Sequence, residues 1–169
     1  MQIIEVNNGN IGILFDYWNK IGESIPYFYN TTYESFKRSL FDDTFEGMPI
    51  LQNNEVFICS EDDQVKGFIQ YGLPTFHFTK AGKIIKDINI GVIRNIYYEE
   101  TRPDIGRALL DLAMNFFEIN NIKDIYAFYH AMGMSCNGNH GKLHEKFDHI
   151  GNLLFEVGFE IEHENIYYV

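Results

Sequence analysis

The chain has 169 residues, with 24 acidic against 13 basic side chains, a formal net charge of −11, 46% hydrophobic content and 16% aromatic content. This composition predicts one well-buried domain over residues 1–169 and excludes a disordered chain. The acidity argues against a broad basic footprint, so neither nucleic acid nor a membrane surface is an expected partner.

The opening "MQIIEVNNGN" lacks a basic stretch followed by a long apolar run, so no signal peptide is expected. No apolar run approaches the roughly 18 residues of a membrane span. Cys59 and Cys136 match no CxxC pattern. They could form one bridge, and the simpler reading is a reduced, cytoplasmic protein.

"QIIEV" has strand character, and turn-forming "NNGN" follows it. "IGILFDYWNKIG" then spaces Ile11, Leu14, Phe15 and Trp18 along one helical face. "TTYESFKRSLF" places Glu34 three residues after Thr31, the spacing of a capping box at the start of a second helix. "FDDTFEGMP" reads as loop. "EVFICS" and "VKGFIQYGL" flank the turn-like "EDDQ" and predict a hairpin. "INIGVIRNIYY", rich in β-branched and aromatic residues, predicts a buried strand. Ile105, Leu109, Leu112, Ala113, Phe116 and Phe117 line the face of a third helix. "DIYAFYHAMGM" reads as a strand, and "KFDHIGNLLFEVGF" as a helix stopped by Gly158. "EIEH" and "NIYYV" read as final strand material; whether the chain continues beyond it is open. The order β-α-α-β-β-β-α-β-α-β describes a mixed α/β (α+β) domain.

The stretch joining the buried strand to the third helix is "TRPDIG", Thr101 to Gly106, followed by "RALLDLAMNFFE". A strand, a turn of the form (Gln/Arg)-x-x-Gly-x-(Gly/Ala) and an amphipathic helix resemble the GNAT superfamily of acyl-CoA-dependent N-acyltransferases. The later "LLFEVGFEIEH" matches that family's Gly-Phe pair at Gly158 and Phe159. The resemblance covers roughly Asn89 to Val169, and it implies a central, mostly antiparallel sheet flanked by helices. It also implies acetyl-CoA as co-substrate. The pyrophosphate would lie on Thr101, Arg102, Pro103, Asp104, Ile105 and Gly106, where free N–H groups carry the positive end of the helix dipole. Arg102 or Arg107 could add charge-assisted hydrogen bonds. Main-chain groups of Ile96, Tyr97 and Tyr98 would pair with the pantetheine arm.

Two residues depart from the pattern. Thr101 stands in place of Gln or Arg, and Asp104 in place of the first glycine. Thr101-x-x-Asp104 can also be read as a capping box, with Pro103 in the first helical turn.

Amine attack on a thioester needs a proton route, an oxyanion donor and an acid for the thiolate. By the resemblance, the tyrosine often found on the last helix falls at Leu154 and a strand carboxylate near Ile90, so neither is present. Tyr98, Tyr129 and His130 are the substitutes by location, with ordinary core packing as their competing reading. "SCNGNHGKLHEKFDH" gathers Cys136, His140, His144, Asp148 and His149. Three readings stay open there: a metal between His140 and His144, a solvated loop, or a cationic pocket in which Lys142 and Lys146 meet a coenzyme phosphate or shape the acceptor entrance.

The expected function is transfer of an acetyl group from acetyl-CoA to a primary amine of a small molecule or peptide by direct attack, without a metal. The acidic balance favours a cationic acceptor such as a polyamine, an amino sugar, or a lysine or N-terminal amine. The alternatives are a GNAT-like acyl-CoA-binding module that senses or interacts but catalyses poorly, and a small metal-dependent enzyme built on the histidine loop. A homodimer is left open.

Overall fold

Strand β1 (Gln2–Glu5) leads into helices α1 (Ile11–Glu23) and α2 (Tyr33–Phe41) in the computed structural model, which describes residues 1–25, 28, 30–79, 81–86, 88–138 and 141–162. A small hairpin, β2 (Thr44–Phe45) and β3 (Met48–Pro49), precedes the long strands β4 (Leu51–Glu61) and β5 (Gln64–Pro74). A second small hairpin, β6 (His77–Phe78) and β7 (Ile84–Ile85), precedes β8 (Ile90–Tyr98). Helix α3 (Pro103–Ile119), strand β9 (Asp124–Ala127) and helix α4 (Asp148–Glu156) complete the described elements. Five strands make one sheet in the order β1-β4-β5-β8-β9, antiparallel except for the parallel β8–β9 pair.

Local chemistry explains the borders of these elements. Asp62 and Asp63, at φ 50° and 59°, turn β4 into β5; both positive angles suit the right-handed twist of a two-residue hairpin. Thr32 caps α2 by accepting a hydrogen bond from the Ser35 amide at 3.2 Å, so the cap is one residue later than the sequence predicted at Thr31. Gly158, at φ +98°, follows the last turn of α4, as a stop signal should.

Helices cover both faces of the sheet. From α1, Trp18 lays its ring 6.0 Å from that of Phe68 and 6.3 Å from that of Tyr97. On the other face, α3 buries Ile105, Gly106, Leu109, Leu110, Ala113 and Phe117. Gly106 has a specific duty here. A β-carbon built on it would come within 2.4 Å of the Tyr98 ring, so the missing side chain is what lets that ring lie beneath the helix.

Three sequence readings need correction. "FDDTFEGMP" is not plain loop: Glu46 and Gly47, at φ 49° and 78°, turn β2 into β3. The strand expected over "DIYAFYHAMGM" ends at Ala127, because Phe128 takes φ 52° and short 3-10 turns follow at His130–Met132 and Ser135–Asn137. A bulky residue at positive φ cannot continue a strand. Glu160 to Glu162 form no strand, and His163 with "NIYYV" lies outside the described residues.

The register of β5 against β8 pairs Gln70 with Asn95 and Tyr71 with Ile93, leaving Arg94 as an extra residue in β8. Such a bulge turns successive side chains toward one face. Asn95 donates to Gln70 Oε1 at 3.0 Å, and Gln70 donates to the Leu40 carbonyl at 2.9 Å. Arg94 is 2% exposed and donates to the carbonyls of Ser39, Met132 and Gly133 and to the Asp43 carboxylate at 2.5 Å. Asp43 in turn accepts from the Ser135 amide at 2.9 Å. The bulge is thereby tied to α2 and to the segment after β9.

Removing the guanidinium strands a nearly buried carboxylate. Arg94→Met is expected to cost about 3–5 kcal/mol in urea unfolding. Gly106→Ala is expected to destabilise through about 1–3 kcal/mol of overpacking, partly offset by about 1 kcal/mol of helix propensity. In a Tyr98→Ala background the same substitution should instead stabilise by about 1 kcal/mol, and the sign change is read from a double-mutant cycle.

Candidate functional site

Strands β8 and β9 pair only from Ile90–Asp124 to Ile93–Ala127, and the Phe128 amide makes the last link to the Ile93 carbonyl at 3.0 Å. Beyond that point, Arg94 to Tyr98 have β5 on one side and, among the described residues, no strand on the other. The start of α4 and the residue before it fill part of the gap. Phe147 packs edge-on to Tyr97 at 5.2 Å, and His149 edge-on to Tyr98 at 4.9 Å. Tyr98 and His149 are also joined twice by hydrogen bonds. The Tyr98 hydroxyl donates to the His149 carbonyl at 2.9 Å, and His149 Nε2 lies 3.1 Å from the Tyr98 carbonyl.

A cavity of about 240 Å³ opens at the outer end of this gap, between Tyr98, Pro103 and Arg107 on one wall and His149, Asn152 and Glu156 on the other. Its position follows from the fold, because α3 starts where β8 ends and α4 packs beside both. Burial pushes the Tyr98 hydroxyl above the ordinary tyrosine range, with Glu156 adding to the rise, so it stays a proton-bearing donor. Arg107 is ion-paired with Glu156 across the mouth.

The "TRPDIG" turn is not organised as the capping box that the sequence also allowed. Arg102 is the N-cap of α3 and no side chain caps the helix, so Thr101 and Asp104 do not form a capping box. Asp104 instead faces Arg102, receiving Nε at 2.9 Å and Nη2 at 2.8 Å. Glu61, at the hairpin end of β4, holds the same guanidinium through Nη1 at 2.5 Å. The hydrogen bonds from Arg102 hold the Asp104 and Glu61 carboxyls below their usual range, with the amides of Asp104 and Ile105 contributing at Asp104. Those from Asp104, then Glu61, hold Arg102 above its own.

The remaining candidates scatter. Ile96 and Tyr97 are buried on β8, Ile105 is buried under α3, and Thr101 is exposed. Tyr129 stacks on His77 at 5.1 Å within a second, smaller cluster that includes Phe76 and Val92, and His130 adjoins it. Tyr98 is thus separated from Tyr129 and His130. Lys142 is half-buried and does not line the cavity. Lys146 donates to the Ser24 carbonyl at 2.8 Å, and His144 Nδ1 accepts from the Lys146 amide. His140 lies outside the described residues, and among the described ones no group of three His, Cys, Asp or Glu is arranged to hold a metal. Cys59 and Cys136 are free thiols.

The sequence reading missed Asn152, Glu156 and Glu61, and placed His149 only in the histidine-rich loop. A signal was available for most of these: His149, Asn152 and Glu156 stand at i, i+3 and i+7, one polar stripe along α4.

No family model and no curated protein sequence matches this chain. Solved structures do. An aminoglycoside acetyltransferase from an uncultured soil metagenomic sample, in complex with trehalose, aligns at a TM-score of 0.58 and 11% identity over 99% of this chain and 95% of its own. Aminoglycoside antibiotic 6'-N-acetyltransferase from Acinetobacter haemolyticus aligns at 0.57 and 12% identity over 100% and 97%. Aminoglycoside N-acetyltransferase AAC(6')-Iy, in complex with CoA, aligns at 0.56 and 8% identity over 99% and 98%. Likeness at these identities speaks for architecture, and with the parted strands and the strand–turn–helix at Thr101 it gives one conclusion: the chain has the fold of the GNAT N-acetyltransferases.

Proposed function

We propose that the chain is an N-acetyltransferase that lays the pantetheine arm of acetyl-CoA along the open side of β8 and passes the acetyl group to a primary amine. The observation that carries this reading is the cavity between the start of α3 and α4, opening onto a strand that has lost its neighbour. A strand edge offers main-chain donors and acceptors to an amide-bearing arm. That one structural neighbour holds CoA and others are aminoglycoside acetyltransferases supports the donor and an amine acceptor.

In the transfer, the neutral amine nitrogen attacks the thioester carbonyl, the new C–N bond forms and the C–S bond breaks. The nitrogen loses a proton and the departing thiolate gains one. On this reading the thioester lies near the parting point at Ile93 and Phe128. Tyr98 is five residues past Ile93, roughly 16 Å at about 3.3 Å per residue, too far out for the thiolate. We assign its hydroxyl to donor binding. Tyr129 and His130 follow the parting point closely in the chain and remain the candidates for proton traffic; burial keeps the Tyr129 hydroxyl protonated.

A second reading has an observation of its own. Leu154, buried on α4, stands where the resemblance expects an acid tyrosine, which suits an acyl-CoA-binding module of low turnover. Titration calorimetry with acetyl-CoA, followed by free-thiol release across a panel of amines, separates the two. Binding with release that needs an amine is the expected result; binding without release selects the module, and no binding overturns both.

Two substitutions refine the assignment. Tyr98→Phe is expected to raise KM severalfold while kcat stays within about twofold, whereas a kcat loss on the order of 100-fold would make Tyr98 the acid. His149→Ala frees the Tyr98 carbonyl, and acetyl-CoA affinity should rise by about fivefold, the worth of one hydrogen bond the arm no longer has to displace.

A further inference from the structure

The outer end of the candidate donor site has little to offer a diphosphate. At that end, among the described residues, the Lys and Arg side chains near the "TRPDIG" turn each have a carboxylate: Lys66 has Glu99, Arg107 has Glu156, and Arg102 has both Glu61 and Asp104. Four N–H···O contacts tie Arg102 to that pair. The backbone offers little more. Pro103 has no N–H, and the amides of Ile105 and Gly106 point to the Arg102 carbonyl at 3.0 and 3.4 Å. The close approach that a glycine permits at position 106 is filled by the Tyr98 ring.

The cavity beside that turn adds one Arg or Lys side chain, Arg107, and it is the one already paired with Glu156. Tyr98, His149 and Asn152 line it with hydrogen-bonding groups, and Glu100 and Glu156 leave its lining acidic.

We propose, resting on the acetyl-donor reading above, that this chain recognises its donor by the pantetheine arm and gains little from the nucleotide diphosphate. Acetyl-pantetheine, lacking the nucleotide, is then a donor nearly as good as acetyl-CoA, giving up its acetyl group to the amine and leaving as free pantetheine thiol. A diphosphate could reach Arg102 only by displacing carboxylates that stay nearby, on a protein of net charge −11. Asp104 and Glu61 act as a built-in anion.

The test compares acetyl-CoA with acetyl-pantetheine by calorimetry and by kcat/KM, on the native chain, Asp104→Gly and Glu61→Gln. For the native chain the two donors should agree within about fivefold, and raising NaCl from about 50 to about 500 mM should leave acetyl-CoA binding unchanged or tighter. Either substitution should favour acetyl-CoA by about tenfold and leave acetyl-pantetheine unmoved. If native acetyl-CoA is about 100-fold better than acetyl-pantetheine and weakens with salt, this inference fails while the acetyltransferase reading stands. If neither donor binds, both fail.

Discussion

The separation of β8 from β9 is the constraint on which the candidate site depends. A parallel pair that continued past Ile93 would cover the side of β8 that is open to a ligand. Two features prevent that. Phe128 takes a left-handed backbone angle at the end of β9, and the bulge at Arg94 bends β8 just where the partner leaves. Each is costly alone: a strained bulky residue on the order of 1–3 kcal/mol, and a buried guanidinium several kcal/mol of desolvation. The Arg94 hydrogen bonds to Asp43, Ser39, Met132 and Gly133 offset the second and tie down the segment that follows the first. One buried ion therefore joins α2, the bulge and the diverging chain into a single arrangement.

Electrostatics then divides the site along its length. Near the parting point the sheet supplies backbone groups and the buried Arg94–Asp43 pair, whose opposite charges offset each other. Near the turn, carboxylates outnumber cations and pair with each of them. The first-turn amides that usually attract an anion are occupied by Arg102's own carbonyl and by the Asp104 side chain's proximity. The helix start is thus a self-satisfied cap beside a cavity whose Arg107 is already paired with Glu156.

Much of the architecture was legible because its causes are local. "EDDQ" announced the long hairpin through two residues that tolerate positive φ, and the apolar spacing of α1 and α3 gave both helices their buried faces. The ends of elements were less visible. Nothing in "DIYAFYHAMGM" marks Phe128 as the break, since its angle is set by the bond to Ile93 and packing on Tyr97 at 5.8 Å. Glu61 was invisible as a partner of Arg102 because 41 residues separate them. The Tyr98–His149 pair spans 51 residues and depends on how α4 docks. "TRPDIG" suggested two roles for Asp104, phosphate cradle or helix cap, and the third, a clamp on its neighbour Arg102, required the tertiary fold.

The most direct measurement is a crystal structure of the chain with coenzyme A bound. The account predicts a pantetheine amide hydrogen-bonded to β8 between Arg94 and Tyr98, with the His149 ring swung off the Tyr98 carbonyl. A ligand lodged elsewhere, with the Tyr98–His149 hydrogen bonds intact, would contradict it.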